Sequence, residues 1–210
     1  MQDLTQKLKL YAVTDRQWLG TRTLADCVAD AIAGGVTMVQ LREKQLAQAE
    51  FIAEARVIKT VCAQAQVPFL INDDLEVAMA VDADGLHVGQ DDLDAATIRA
   101  QWGQEKLVGV SAQTVPEALA AQAAGADYLG VGAVFPTATK TDAVAVPLAT
   151  LQAITAAVTI PVVAIGGIHR DNLLQLQGTG VVGVALVSEL FAPADIRQNA
   201  QQLAQLTAKL

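Results

Sequence analysis

Eight short apolar runs alternate with eight amphipathic stretches from one end of the sequence to the other, and this alternation constrains the fold more than any other feature. The runs cover 8–14, 36–41, 68–72, 85–88, 107–111, 128–131, 161–165 and 180–186, and most are rich in Val, Ile and Leu. Runs of that kind are strands covered on both faces. Between them, segments rich in Ala, Leu and Gln repeat with helical period over 23–33, 46–64, 73–80, 93–101, 116–124, 148–157, 170–176 and 193–210. Thr114 ahead of Pro116, Pro147, and Asp171 read as helix starts, while Gly34-Gly35, Gly125 and Gly178 read as stops. Strict β–α alternation gives a parallel sheet. Eight units in 210 residues, about 26 residues each, predict closure into a (β/α)8 TIM barrel at the compact end of that fold. An open doubly wound sheet is the competing architecture, but the GxGxxG fingerprint it would carry after the first strand is missing. No linker or low-complexity tract interrupts the pattern, so one domain over 1–210 is expected.

Composition removes several function classes. Apolar residues make up 52% of the chain, too many for a disordered segment. The net charge of -8 argues against a nucleic-acid surface, which needs a basic face. A local cluster of donors still binds a small anion against such a field. The mean hydropathy of +0.35 reflects Ala and Val rather than a membrane span. The apolar runs stop after about eight or nine residues, short of the ~20 a bilayer requires. The first ten residues are mostly polar and contain no apolar core of a secretory signal. Cys27 and Cys62 lack any CxxC or Cys/His ligand spacing, so they read as buried thiols in a reducing cytoplasm. Neither nucleic acid nor a membrane is an expected partner.

In a parallel barrel the chemistry sits at the C-terminal ends of the strands, and unusual residues collect there. The second run ends Gln40-Leu41-Arg42-Glu43-Lys44, and side-chain alternation puts Gln40, Arg42 and Lys44 on one face. Two cations and an amide pointing the same way suit an anion, although solvated loop charges look similar. The third run ends Asn72-Asp73-Asp74, and the fourth leads into Gly89-Gln90-Asp91-Asp92. Carboxylates brought together in that way suit a hard cation such as Mg2+, whereas each aspartate alone is a common helix cap. The fifth run ends at Ser111. The loop after the sixth, Phe135-Pro136-Thr137-Ala138-Thr139-Lys140-Thr141, is the longest, and is either functional or a plain insertion. Gly166-Gly167 and Val187-Ser188 follow the last two runs, where barrels of this type bind phosphate through main-chain N–H groups. His87 is either a group at the barrel mouth or a hydrogen-bonded supporting residue. His169 reads as a loop residue, and Trp18 and Trp102 as packing residues. No Ser/His/Asp set or nucleophilic cysteine context is present.

Taken together, QLREK, IND, GLHVGQDD, GVSA, FPTATK and AIGGI, in that order and spacing, resemble the thiamine-phosphate synthase family. The likeness runs from Tyr11-Ala12-Val13-Thr14-Asp15 to Val187-Ser188. It implies a barrel enzyme, a transferase of thiamine biosynthesis. Such an enzyme joins a pyrimidine bearing a CH2-diphosphate to a thiazole bearing a hydroxyethyl phosphate, and requires Mg2+. By the same likeness, Gln40, Leu41, Arg42, Glu43 and Lys44 hold the pyrimidine diphosphate, with Asn72, Ser111 and Lys140 as further contacts. Asp73 and Asp92 match the metal ligands. Thr137, Ala138 and Thr139 match the thiazole-phosphate loop, and Gly167, Val187 and Ser188 the rest of that pocket. Arg42, Lys44, Ser111 and Lys140 are the residues expected to carry catalysis. A related thiazole tautomerase, a non-catalytic sensor of a phosphorylated ligand, and another phosphate-handling barrel enzyme such as an epimerase remain the alternatives at this level.

Overall fold

The computed structural model describes residues 4–137 and 144–210. Eight parallel strands close on themselves in sequence order: β1 (Leu10–Val13), β2 (Met38–Leu41), β3 (Phe69–Asn72), β4 (Gly85–Val88), β5 (Leu107–Ala112), β6 (Tyr128–Val131), β7 (Val162–Ile165) and β8 (Gly183–Leu186). The last strand pairs back onto the first, with Tyr11 opposite Ala185. The helices are α1 (Leu4–Lys7), α2 (Leu24–Ala33), α3 (Gln48–Gln64), α4 (Leu75–Ala80), α5 (Ala95–Trp102), α6 (Val115–Ala123), α7 (Leu148–Ala157), α8 (Ser188–Phe191) and α9 (Ile196–Thr207). The barrel expected from the alternation is the one observed. No helix among the described residues is long and apolar enough to cross a membrane.

Alternation along each strand divides the apolar residues into two cores. Leu10, Ala12, Val39, Leu41, Ile71, Leu86 and their equivalents point outward and pack under the helices. Tyr11, Val13, Met38, Leu70, Tyr128, Val163 and Ala185 point inward and fill the barrel. Leu8, just after α1, is fully buried in that inner cluster and closes its lower end. Polar residues replace apolar ones on the inner face towards the C-terminal ends of the strands. Gln40, Asn72, His87 and Ser111 occupy those places, and a cavity opens above them.

Thr114 is a helix start as read from the sequence, Pro147 stands at the start of α7 without a side-chain cap, and Asp171 starts no α-helix. Thr23, Asp74, Asp94 and Thr114 each accept a hydrogen bond from an N–H of the first turn. At α6 the Glu117 side chain adds a second bond, to the residue before the cap. Thr114 accepts from the Glu117 N–H at 3.3 Å, and Glu117 accepts from the Gln113 N–H at 2.8 Å. Thr114→Ala is expected to lower stability by ~1 kcal/mol, read as a lower urea midpoint at unchanged slope; an unmoved midpoint would count against the cap.

Two differences from the sequence reading have local causes. The helix expected over 170–176 is a single 3-10 turn, Leu173–Leu176. The Asn172 side chain does not cap it, but accepts from the His169 N–H and donates to the Gly167 carbonyl. Gly178 and Gly180, both at positive φ, then turn the chain back towards β8 before a second helical turn can form. The short helices α1 and α8 were not anticipated, because four residues are too few to register a helical period.

Candidate active site

A cavity of about 250 Å3 opens at the C-terminal end of the barrel, walled by residues from all eight strand ends. One wall carries Gln40, Arg42 and Lys44, the inward-pointing members of the QLREK run. Thr14, fully buried, fixes the start of this turn: its hydroxyl accepts the Arg42 N–H at 3.0 Å, and its own N–H donates to the Gln40 carbonyl. The Arg42 guanidinium makes no hydrogen bond or ion pair among the described residues, and so faces the cavity with its donors free. Lys44 forms a short ion pair with Asp73.

The acidic residues sort by position. Asp73 adopts a left-handed backbone, φ 62°. The chain turns there, so that Asp74 caps α4 while the Asp73 carboxylate faces the cavity. Asp92 also faces the cavity and is held by the Gly89 N–H at 2.7 Å. Burial raises the Asp73 pKa, against the lowering effect of Lys44, and the negative charge of Asp92 adds to the rise. Ser111 and His87 line the floor. Across the cavity lie Gly166, Gly167, Val187, Ser188 and Thr137. The two glycines take φ of 91° and 64°, and the Gly167 N–H donates to no group among the described residues.

The sequence profile described as thiamine monophosphate synthase matches residues 10–190, the span that builds this barrel and its mouth. The chain belongs to that family. A thiamine-phosphate synthase of Ruminiclostridium cellulolyticum is 50% identical over 197 residues, 94% of each chain. One of Enterococcus faecalis is 46% identical over 207 residues, 99% of this chain and 98% of that one. Among solved structures, a thiamine phosphate pyrophosphorylase from Pyrococcus furiosus superposes with a TM-score of 0.91 at 35% identity, covering 98% of each chain. Membership of the thiamine monophosphate synthase family thus agrees with the motifs, and covers nearly the whole sequence rather than one segment.

Of the residues that the family resemblance singles out, Gln40, Arg42, Lys44, Asn72, Asp73, Asp92, Ser111, Thr137, Gly167, Val187 and Ser188 all line the one cavity. Ala138, Thr139 and Lys140 lie outside the described residues. Leu41 and Glu43 stand apart, since alternation turns their side chains to the outer face. Leu41 is fully buried beneath the helices. The Glu43 carboxylate lies 2.8 Å from Arg16, which also pairs with Glu54. Tyr11 and Gly130 line the cavity as well, and Tyr128 and Gly109 stand against His87 on its floor, although Tyr128 and Gly130 carry no motif. The available signal was their parity with Gln40 and Ser111 along the strands.

The donor set at Asp73 and Asp92 suits a hard divalent cation. Two like-charged carboxylates meet there, the buried Asn72 Oδ1 next to them has no hydrogen-bond partner, and Asp73 is held meanwhile by the Lys44 ammonium and by the Asn72 amide nitrogen at 2.7 Å. No group of three or more His, Cys, Asp or Glu placed to hold a metal ion by itself is present among the described residues. A site of this composition fits Mg2+, which typically takes one or two carboxylates and completes its shell with waters and phosphate oxygens.

Glu43 has a separate consequence. Burial pushes its pKa up to about 7; Arg16 opposes the rise and Glu54 adds to it. The folded chain therefore keeps a proton that the unfolded chain releases near the ordinary value of 4.5. Stability is expected to decline as pH rises from about 4.5 through about 7. Glu43→Gln should flatten that decline. Urea titrations of both proteins across the window test it, and parallel curves for the two would refute the assignment.

Proposed function

We propose that this chain condenses 4-amino-2-methyl-5-(diphosphooxymethyl)pyrimidine with a thiazole-ethyl phosphate, giving thiamine phosphate and diphosphate, and that residues 1–210 act as one catalytic unit. The observation that carries this reading is a single cavity with two opposed anion-binding walls. One wall holds Arg42 and Lys44 beside Asp73 and Asp92, and the other Gly166-Gly167 and Ser188. A one-substrate phosphate enzyme needs only the second.

In this reading the pyrimidine diphosphate lies against Gln40, Arg42, Lys44, Asn72 and Ser111, with Lys140, outside the described residues, as a further contact. Asp73 and Asp92 hold Mg2+. When bound, that ion offsets negative charge gathering on the departing diphosphate. Arg42, Lys44 and Lys140 add fixed positive charge at the same place, and charge preorganised in this way is commonly the largest catalytic contribution. The carbon–oxygen bond breaks with its electron pair leaving on diphosphate. The methylene carbon becomes cationic and draws density from the 4-amino group of the ring. The thiazole nitrogen supplies its own lone pair to that carbon, so the enzyme needs no nucleophile, in keeping with the absence of a triad. Thr137, Ala138, Thr139, Gly167, Val187 and Ser188 hold the thiazole phosphate so that the nitrogen faces the carbon. Orientation of this kind contributes ~7–11 kcal/mol at best. Cys27 and Cys62 are both buried thiols, which supports work in a reducing cytoplasm.

Incubating the pure protein with both precursors, with and without Mg2+, tests the proposal. Thiamine phosphate and diphosphate in equal amounts, only with the metal, are expected. Conversion of the thiazole phosphate to an isomer without the pyrimidine would point instead to a tautomerase, and tight binding without turnover to a sensor.

A further inference from the structure

Beneath the cavity, five side chains from five strands form one unbroken line of hydrogen bonds across the barrel. The Gln40 Nε2 donates to the Tyr11 hydroxyl at 2.6 Å, and that hydroxyl lies 2.8 Å from the Tyr128 hydroxyl. Tyr128 lies 3.0 Å from His87 Nδ1, and His87 Nε2 lies 3.0 Å from Ser111 Oγ. Tyr11, Tyr128, Gln40 and His87 are buried, while Ser111 reaches the cavity. The sequence clears space for this line. A Cβ on Gly109 would overlap the Tyr128 ring and hydroxyl and stand 2.5 Å from His87 Nδ1, and one on Gly130 would stand 3.0 Å from His87 Cε1.

The line has a direction. Burial holds both phenols above their ordinary range, so each keeps its single hydrogen. Tyr11 accepts from the Gln40 amide and so gives its own hydrogen to Tyr128, which gives its hydrogen to His87 Nδ1. A neutral imidazole whose Nδ1 accepts carries its proton on Nε2, and this proton goes to Ser111 Oγ. The Ser111 hydrogen is then the one left over. The opposite direction needs the Gln40 amide turned end for end, and would offer lone pairs rather than a hydrogen to an anion.

We propose that this line acts as a polarity relay: it holds His87 as the Nε2–H tautomer and thereby aims the Ser111 hydroxyl hydrogen into the cavity as a donor to an anionic substrate, making Tyr11, Tyr128 and His87 positioning residues. The identification of that anion as a diphosphate group rests on the function proposed above; the tautomer does not.

Nitrogen-15 spectra of the labelled protein at neutral pH read the tautomer directly, with a His169→Gln variant assigning the two histidines. A protonated Nε2 and bare Nδ1 on His87 are expected, and the reverse tautomer overturns the relay. Tyr128→Phe removes the donor to Nδ1. It should give a mixture of tautomers and weaken the binding of inorganic diphosphate with Mg2+, followed by calorimetry, by about tenfold. Tyr11→Phe, which keeps the His87 contact, is a second variant and should weaken diphosphate binding less. A folded Tyr128→Phe protein with a pure Nε2–H tautomer and unchanged diphosphate affinity overturns the proposal. Failure of the wild-type protein to make thiamine phosphate, with the Nε2–H tautomer present, overturns the functional reading and supports the relay.

Discussion

Asp92→Asn is expected to lower thiamine phosphate formation by about 10²–10³-fold, the scale seen when one group stabilising developing charge is removed. The substitution is chosen to separate charge from shape. Asp92 accepts the Gly89 N–H at 2.7 Å, and an asparagine oxygen can accept the same bond, so the turn after β4 keeps its geometry. What disappears is one of two like charges, since Asp92 stands beside Asp73 on the same wall of the cavity. If that pair exists to hold a divalent cation, the variant should need much more Mg2+ for half-maximal rate, and its turnover should stay low at saturation. Its urea midpoint should match that of the wild type. Asp73 should also become easier to ionise, because it loses the neighbouring charge that raises its pKa. Wild-type turnover by a folded Asp92→Asn protein would remove Asp92 from the metal site and leave it a turn-forming residue.

Much of this arrangement was legible in the sequence because the barrel translates order along the chain into position in space. A strand end is always at the mouth, so the residues that close each apolar run are neighbours whatever their separation in sequence. Parity did the rest for β2: Gln40, Arg42 and Lys44 face the cavity, and Leu41 and Glu43 do not. The family likeness named all five together, because a run of matched residues carries no information about which side chains face inward. The acidic residues show the limit of composition. Asp73 and Asp74 are adjacent and chemically identical, yet one faces the cavity and the other caps α4, and the left-handed backbone at Asp73 decides between them. The polar line below the cavity was hidden for another reason. Tyr11 and Tyr128 sit within apolar runs and read as core, and they are core by burial. Only their hydroxyls, meeting from opposite sides of the barrel, mark them as anything more. Gly109 and Gly130 have no side chain to mark them, and the rings they make room for, Tyr128 and His87, belong to other strands.

The opposite wall yields the second large effect. Gly167→Ala is expected to reduce kcat/KM for the thiazole phosphate by ~10²-fold, the loss that about 1 Å of misplacement brings. Gly167 stands at φ 64°, where a side chain is strained, and a Cβ there would overlap the Pro136 carbonyl oxygen and stand 2.5 Å from that of Phe135. Both oxygens belong to main chain, so a rotamer change cannot relieve the clash. The loop after β6 is tied to this turn by Val134 N–H to the Ile165 carbonyl at 3.0 Å and Phe135 N–H to the Gly166 carbonyl at 3.1 Å. It has to move as a unit, carrying Thr137 away from the cavity. Arg42, Asp73 and Asp92 stand on the other wall, so calorimetric affinity for the pyrimidine diphosphate should change little. Unequal losses for the two substrates are therefore the signature of two anion sites with separate supports. Equal losses for both would mean that the walls are mechanically one, and that the division into two separate anion sites is wrong.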